Sequence, residues 1–569
     1  MKSAHRPTLL TTPSAGSARL TAQSAGIQGW RWASRFSSGL LLPLLGGLIL
    51  LPLLFAFKPL LDGGLLANLG RAVRDTRFVN SFAFGIKQAL ASCLLSLALG
   101  LPAAFLLARR RFPGKRLLAA LAAVPFTVPA LIVGIGFVLY YGRNGYLNRL
   151  LMDWLSLDQP PLTFLYSFGG VILAHGFYNF PLVMRFVADA WERVPLSQAE
   201  AARLLGASEF RIFRTITLPS IGPAIGSAAS LTFLLCFFSF VIVMLFAGPG
   251  VATPEVELYR AARFDFDLPL ASAFALAETI LALSLLALYA WFENKHAPLR
   301  LETAPRQPAS AFRTRAGRWA ALAFALVMVV FLGGPLLAIG LESFDTSGRR
   351  NATVAGTGHS EFGVANYRRL LSTPHFGQAA LNTLLLGLLC ATLAGLVGFG
   401  LHLAVRRSRA TTLTKVLPML PLAISGVVLS YGWTSLLQGS SLLVIALVQT
   451  VSVYPFIFKA IQSSLGKADE RYSQAAQTLG SSRWTAALRV SLPLALPALL
   501  SGMAFAFAIS AGDATAQIVA PVSGFETMAS YLYRLAGSYR FSTACAVAVL
   551  LSILTGLIFL IKDYSHDAT

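Results

Sequence analysis

Long apolar runs alternate with short polar stretches along almost the whole chain. Twelve runs stand out: 39–57, 84–108, 117–141, 164–188, 224–247, 269–292, 319–341, 379–404, 413–436, 441–463, 495–520 and 541–561. Crossing a bilayer as a helix takes ~20 mostly apolar residues. The runs are continuously apolar, whereas barrel strands alternate in and out over about 10 residues. Many contain Gly and Pro, which neighbouring helices in a membrane bundle can accommodate. The pattern therefore predicts an all-α integral membrane protein with about twelve transmembrane helices, each run one continuous crossing.

Two polar segments between runs resemble each other. "AEAARLLGASEFRIFRTITLPS" (199–220) and "SQAAQTLGSSRWTAALRVSLPL" (473–494) align without a gap at an offset of 274 residues. The same offset pairs Pro181 with Pro455, Arg185 with Lys459, and Leu258-Tyr259-Arg260 with Leu532-Tyr533-Arg534. Earlier positions match at other offsets: Asn80-Ser81 with Asn382-Thr383, and Pro129 and Gly134 with Pro421 and Gly426. Self-similarity on this scale sets architecture. Each half holds six runs, an even number, so the halves share one orientation and should surround a pseudo-two-fold axis along the membrane normal. The division is a tail (1–38), a first half (39–293), a linker (294–318) and a second half (319–569).

The repeated segment has legible local chemistry. Residues 197–205 favour helix, and Gly206 suits the left-handed position that ends one. Ser208 can cap the next helix, with Glu209 near its positive end. Pro219 then stops that helix or bends it toward the next crossing. Ala201 and Ala202 leave a flat surface that lets a partner's backbone approach, while Arg203, Arg211 and Arg214 stay solvated. A mere connector does not need the same turn, cap and prolines at the same spacing twice. The two copies read as docking surfaces for a symmetric cytoplasmic partner.

Composition and charge refine this picture. Only 12% of residues are charged and mean hydropathy is +0.66, against roughly 25% charged in a soluble domain. The net charge of +22 is spread over many short loops, which argues against a nucleic-acid partner. With a cytoplasmic N-terminus and twelve crossings, 31 of the 46 Lys and Arg fall inside, as the positive-inside rule requires. Both termini and both repeated segments are then cytoplasmic. The acid-free Ser/Thr-rich tail reads as a disordered cytoplasmic segment; no cleavable signal peptide is evident before Gly39. Cys93, Cys236, Cys390 and Cys545 all lie inside apolar runs with no metal-ligand spacing, and read as packing residues.

The pattern E-A-A, three residues, G, nine residues, I-x-L-P resembles the signature of membrane subunits of ATP-binding-cassette importers. Glu200, Ala201, Ala202, Gly206, Ile216, Leu218 and Pro219 match it fully. The second copy matches at Ala475, Ala476, Gly480, Leu492 and Pro493, with Gln474 replacing Glu and Val490 replacing Ile. The resemblance implies the type I importer permease fold and a coupling helix seated in a groove of a cytoplasmic ATPase homodimer. It also implies an external solute-binding protein and a bacterial inner-membrane location. The chain has no G-x-x-x-x-G-K-[ST] phosphate loop, so ATP and Mg belong to the partner ATPase, and no cofactor or metal is expected here. Several stretches look most like thiamine-type permeases: "ILAHGFYNFPLVMR" (172–185), "LCFFSF" (235–240), "GPGVATPEVELYRAARFDFDLPLA" (248–271) and "AGSYR" (536–540). After Gly512-Asp513 the thiamine pattern has an aromatic, where this chain has Ala514. Ferric-iron permeases, or those of polyamine-like cations, are the alternative.

Polar groups inside apolar runs face a pathway or one another. The candidates are Asp513, Ser239 (its counterpart at the 274 offset), Glu278 and His175. Asp513 and Glu278 would give a weakly acidic pathway suited to a cation such as thiamine; interhelical hydrogen bonding is the other role open to each. Lys87 can snorkel from the outer end of its run, and the Tyr259-Arg260 and Tyr533-Arg534 pairs suit interface anchors or binding-protein contacts. An ion-gradient-driven secondary transporter would share the twelve crossings but not need the cassettes. A membrane enzyme would need clustered catalytic groups, and the seven histidines are scattered.

Overall fold

The computed structural model describes residues 46–122, 124–126, 128–248, 251–295, 310, 312, 314–346, 362–407, 417–465 and 468–567. The tail 1–38 and most of the 294–318 linker lie outside them. The described residues are helical, without strands; two isolated backbone bridges, Arg110 with Ser310 and Asp345 with Phe362, join segments between helices.

Among the described residues, nine helices are long and apolar enough to cross a bilayer, and one bent pair is a tenth candidate. The bent pair is α1 (Leu51–Leu61) and α2 (Leu65–Arg74), which turn through 83°. Gly63 and Gly64 make that corner at φ of 112° and 101°, conformations open to glycine. The first half continues with α3 (Thr76–Arg109), α4 (Ala130–Tyr141), α5 (Phe168–Glu192), α6 (Leu196–Leu204), α7 (Leu218–Phe237), α8 (Val241–Phe246), α9 (Pro254–Arg263) and α10 (Leu268–Lys295). The second half holds α11 (Arg315–Phe344), α12 (Pro374–Arg407), α13 (Gly426–Leu436), α14 (Leu442–Leu465), α15 (Ala468–Thr478), α16 (Leu492–Gly512), α17 (Thr515–Val519), α18 (Met528–Gly537) and α19 (Phe541–Asp567).

The twelve-segment architecture stands, but four runs are not continuous helices. Run 117–141 is a short helix, a 3-10 turn at Val124–Phe126, and then α4 after Pro129. Run 413–436 is a 3-10 turn at Leu417–Ala423 followed by α13. Ser425 caps α13 by accepting from the Val427 N–H at 3.1 Å. The helix thus resumes after Pro129 in one half and Ser425 in the other, a register four residues from the Pro129/Pro421 match. Runs 224–247 and 495–520 break between α7 and α8 and between α16 and α17. Hydropathy averaged over a run cannot register these breaks, because one polar residue such as Ser239 or Asp513 among apolar neighbours leaves the mean high while the backbone leaves the helix.

Each half has its own three-helix core: α3, α5 and α7 in the first, α12, α14 and α16 in the second. Glycines let the backbones close up at matching places. A Cβ on Gly100 would sit 2.7 Å from Val183, and one on Gly398 would sit 3.2 Å from Ile457. Val183 and Ile457 are partners at the 274 offset. The halves also exchange their first helices: α1 packs on α13, and α11 packs on α4. Gly432 and Gly136 make this possible, since a Cβ at either would collide with the carbonyl oxygen of Pro52 or Pro335. The bundle is one unit stitched by reciprocal exchange.

The Arg109 side chain, at the end of α3, donates to the Val194 carbonyl at 3.0 Å, two residues before α6. The Arg111 N–H donates to the Ser310 carbonyl at 2.9 Å. The end of α3, the entry to the first cassette and the linker therefore share one end of the bundle. Ion pairs Arg71–Asp267 (2.9 Å) and Arg77–Asp265 (2.7 Å) close the other end.

Candidate functional site: paired cassettes and a central cavity

In the first cassette α6 ends at Gly206, whose φ is +80°. The Gly206 N–H donates to Arg203 O at 2.9 Å and the Ala207 N–H to Ala202 O at 3.0 Å. Ser208 Oγ then accepts from the Arg211 N–H at 3.3 Å, capping the short helix Glu209–Ile212. The second cassette repeats each step. Gly480 has φ +88°, its N–H donates to Gln477 O at 3.1 Å, and Ser482 Oγ accepts from the Thr485 N–H at 3.1 Å. The turn and cap chemistry read from the sequence is what the structure contains.

The prolines behave differently from expectation. Pro219 and Pro493 neither stop nor sharply bend the helix, which runs on from Glu209 to Phe237 and from Trp484 to Gly512 as single apolar spans. A π-helical turn precedes each: Phe213–Thr217 and Ala487–Ser491. There the Leu218 N–H bonds Phe213 O and the Leu492 N–H bonds Ala487 O, five residues back. The wider turn takes up the clash that a proline ring makes with the preceding turn.

Ala201 and Ala475 are exposed, Ala202 and Ala476 half-buried, and Glu200 and Gln474 exposed. Apolar side chains unannounced by the motif stand beside them. Leu205 is 88% exposed and Phe210 72%; their 274-offset partners Leu479 and Trp484 are 87% and 71% exposed. Large apolar groups thus stand exposed at matching positions on both polar connectors. The cassettes differ in charge. Arg203 pairs with Glu209 in the first, at 2.6 and 3.0 Å, and that carboxylate holds the guanidinium above its usual range. Gln477 and Arg483 stand there in the second.

All four backbone breaks converge on one cavity of about 500 Å³. Val128–Leu131, Phe238–Ile242, Gly426–Val427 and Gly512–Ala516 all line it. Non-helical backbone at membrane depth is tolerated where it lines a cavity inside the protein, and broken helices at a repeat interface are where transporters bind. His175, Tyr178, Asn179 and Glu255 complete its polar wall.

The two halves supply related but unequal networks here. In the second, Gln449 Nε2 donates to Asp513 Oδ2 and to Ser510 O, both at 3.4 Å, while Ser510 Oγ donates to Gln449 Oε1 at 2.6 Å. Asp513 Oδ1 accepts from the Thr515 N–H at 2.8 Å, joining α16 to α17. In the first, His175 occupies the position of Gln449 and Cys236 that of Ser510. Ser92 Oγ and His175 Nδ1 share a hydrogen bond of 3.1 Å; Asn179 donates to His175 O at 3.0 Å; Gln88 Nε2 donates to Cys236 O at 2.7 Å.

The family model described as "Binding-protein-dependent transport system inner membrane component" matches residues 97–297 and again residues 309–568. The chain belongs to this family. It is a fused permease of ABC type, with the domain present twice. It is 29% identical over 508 residues to the thiamine transport system permease protein ThiP of Escherichia coli K12, covering 86% of this chain and 89% of that protein. To ThiP of Brucella abortus (strain 2308) it is 30% identical over 547 residues, covering 92% and 95%. A putative 2-aminoethylphosphonate transport system permease protein, PhnU of Salmonella typhi, is 33% identical over 219 residues, 38% of this chain and 76% of that one.

Three of the four pathway residues expected from the sequence meet in the permease's cavity: His175, Ser239 and Asp513. Glu278 does not line it; it is wholly buried in α10, within electrostatic reach of Glu255. Glu255 is the residue the sequence reading missed. It lies in 248–271, which reads as a polar outer connection, yet α9 folds back into the bundle against α3, α10 and α13. The signal available was a pair of carboxyls, Glu255 and Glu257, followed by basic residues at helical spacing. Tyr259 is half-buried against Phe240 and Phe264, Arg260 pairs with Glu257 at 2.8 Å, and Arg534 pairs with Glu526 at 2.8 Å.

Proposed function

We propose that this permease imports thiamine or a thiamine phosphate into the bacterial cytoplasm. The solute arrives from an external binding protein, and a separate ATPase homodimer docks on the two cassettes and supplies ATP and Mg. In this reading the cassettes, both termini and the linker are cytoplasmic. Closure of the ATPase pulls both cassettes together, and each cassette runs without interruption into α7 or α16, whose far ends carry the breaks at Ser239 and Asp513. Motion at the cassettes is delivered directly to the cavity wall. Such a switch works only if the partners bind its two states unequally.

The observation that carries the solute is the cavity, with two carboxyls, an imidazole and aromatic rings but, among the described residues, no Lys or Arg in its wall, in a chain resembling thiamine permeases over most of its length. The test is uptake by proteoliposomes holding permease, ATPase and binding protein. Saturable, ATP-dependent uptake of labelled thiamine with no ferric-iron uptake supports the reading. Iron uptake without thiamine uptake overturns the solute, and ATPase-independent uptake along an ion gradient overturns the drive.

A further inference from the structure

Glu255, at the start of α9, is 2% exposed and lines the cavity. Its carboxyl oxygen Oε2 is buried and has no hydrogen-bond partner. Glu278 lies within electrostatic reach, and neither of its oxygens has a partner. His175 Nε2, also in the cavity wall, is buried and unpartnered. Buried carboxyls normally come paired with a cation or a full set of donors. Asp513 is provided for in that way, by Gln449 and the Thr515 N–H. Glu255 is not. The second half has no counterpart, since the 274-offset partners of Glu255 and Glu278 are Ala529 and Ser552.

We propose that Glu255 is the counter-charge for the solute, so that the cavity selects a small organic cation and holds its positive charge against the first half. Tyr178, Phe238 and Phe240 bring aromatic rings to the same wall, a setting suited to a flat organic cation. The volume suits a small molecule. This rests on the reading of the chain as a thiamine-type importer and names the residue that would set its charge preference.

The test measures equilibrium binding to the purified full chain in lipid nanodiscs. The ligands are labelled thiamine and a neutral isostere in which a thiophene replaces the charged thiazolium. The wild-type chain should prefer thiamine. Glu255→Gln should weaken thiamine by about 10- to 100-fold, the range for losing a hydrogen bond to a charged group, and leave the isostere nearly unchanged. Glu255→Asp should keep the preference. An unchanged thiamine affinity in Glu255→Gln overturns the proposal. So does equal loss of both ligands in both variants, which would make Glu255 a structural residue. If the wild-type chain ignores thiamine but binds another singly charged organic cation, and Glu255→Gln loses that cation, the counter-charge stands and the thiamine reading falls. Thiamine bound no better than its neutral isostere, with uptake by the full complex intact, does the reverse.

Discussion

Replacing Gly206 and Gly480 together tests whether the cassettes are the drive shaft. Both have φ near +80 to +90°, and a Cβ built on either meets nothing within 4 Å. Alanine at these positions is therefore opposed by the backbone alone, about 1–2 kcal/mol for an L-residue in the left-handed region. A free cassette that relaxes to escape this strain must recover the turn to dock, which weakens ATPase affinity about five- to thirtyfold per cassette. Proline cannot take the turn, because its ring fixes φ near −65° and removes the N–H. That N–H donates to Arg203 O in one cassette and Gln477 O in the other. The Gly206→Pro/Gly480→Pro chain should still insert and elute as a monodisperse permease, since both turns lie outside the three-helix cores. The ATPase should no longer co-purify with it, and the double alanine variant should fall between, by titration of ATPase onto permease in nanodiscs. Full co-purification with the double proline variant would refute docking through these turns.

Three further outcomes follow from single contacts. Phe210→Ala and Trp484→Ala should each weaken ATPase binding by about 1–3 kcal/mol, the range of interface anchors, without lowering the permease's own thermal stability, because both rings are exposed. Gly100→Ala should destabilise the first-half core by about 1–3 kcal/mol: its Cβ would lie 2.7 Å from Val183 and 3.0 Å from the Phe180 carbonyl, and thermal unfolding in detergent reads the loss. Gln449→Leu should cut solute uptake and cost about 1–3 kcal/mol in the same unfolding assay, because it strips one donor from Asp513 and leaves Ser510 Oγ without its acceptor.

The sequence revealed what is fixed by short-range chemistry and concealed what is fixed by distant contacts. Gly206, Ser208 and their copies act within a few residues, so their turn and cap were readable at once. The spans at Thr76–Arg109 or Arg315–Phe344 followed from hydropathy alone. The breaks at Pro129, Ser239, Ser425 and Asp513 did not, because apolar residues surround them and only the cavity they line explains them. The reciprocal packing of α1 on α13 and α11 on α4 was hidden for a similar reason: its marks are single glycines, Gly432 and Gly136, whose meaning depends on a helix from the other half. Glu255 was overlooked because a charged amphipathic segment next to a membrane run reads as a surface loop until α9 is seen folding inward.

The 274-residue offset separates the mechanical parts from the chemical ones. At the cassettes it preserves φ, cap, π turn and exposed apolar pair, and at the core it pairs Val183 with Ile457, each packed against a glycine of the neighbouring helix. A partner that docks twice presents the same groove twice, so both copies are held to the same geometry. At the cavity wall and just behind it the offset pairs His175 with Gln449, Cys236 with Ser510, Ser239 with Asp513 and Glu255 with Ala529. A single solute on the pseudo-axis cannot itself be two-fold symmetric if one of its ends is charged and the other is not. Equal walls would then waste half their polar groups on the wrong end. Divergence at these four pairs leaves Glu255 Oε2 and His175 Nε2 unpartnered on the first half and Asp513 hydrogen-bonded on the second, the asymmetry that a solute charged at one end would call for under the proposed counter-charge.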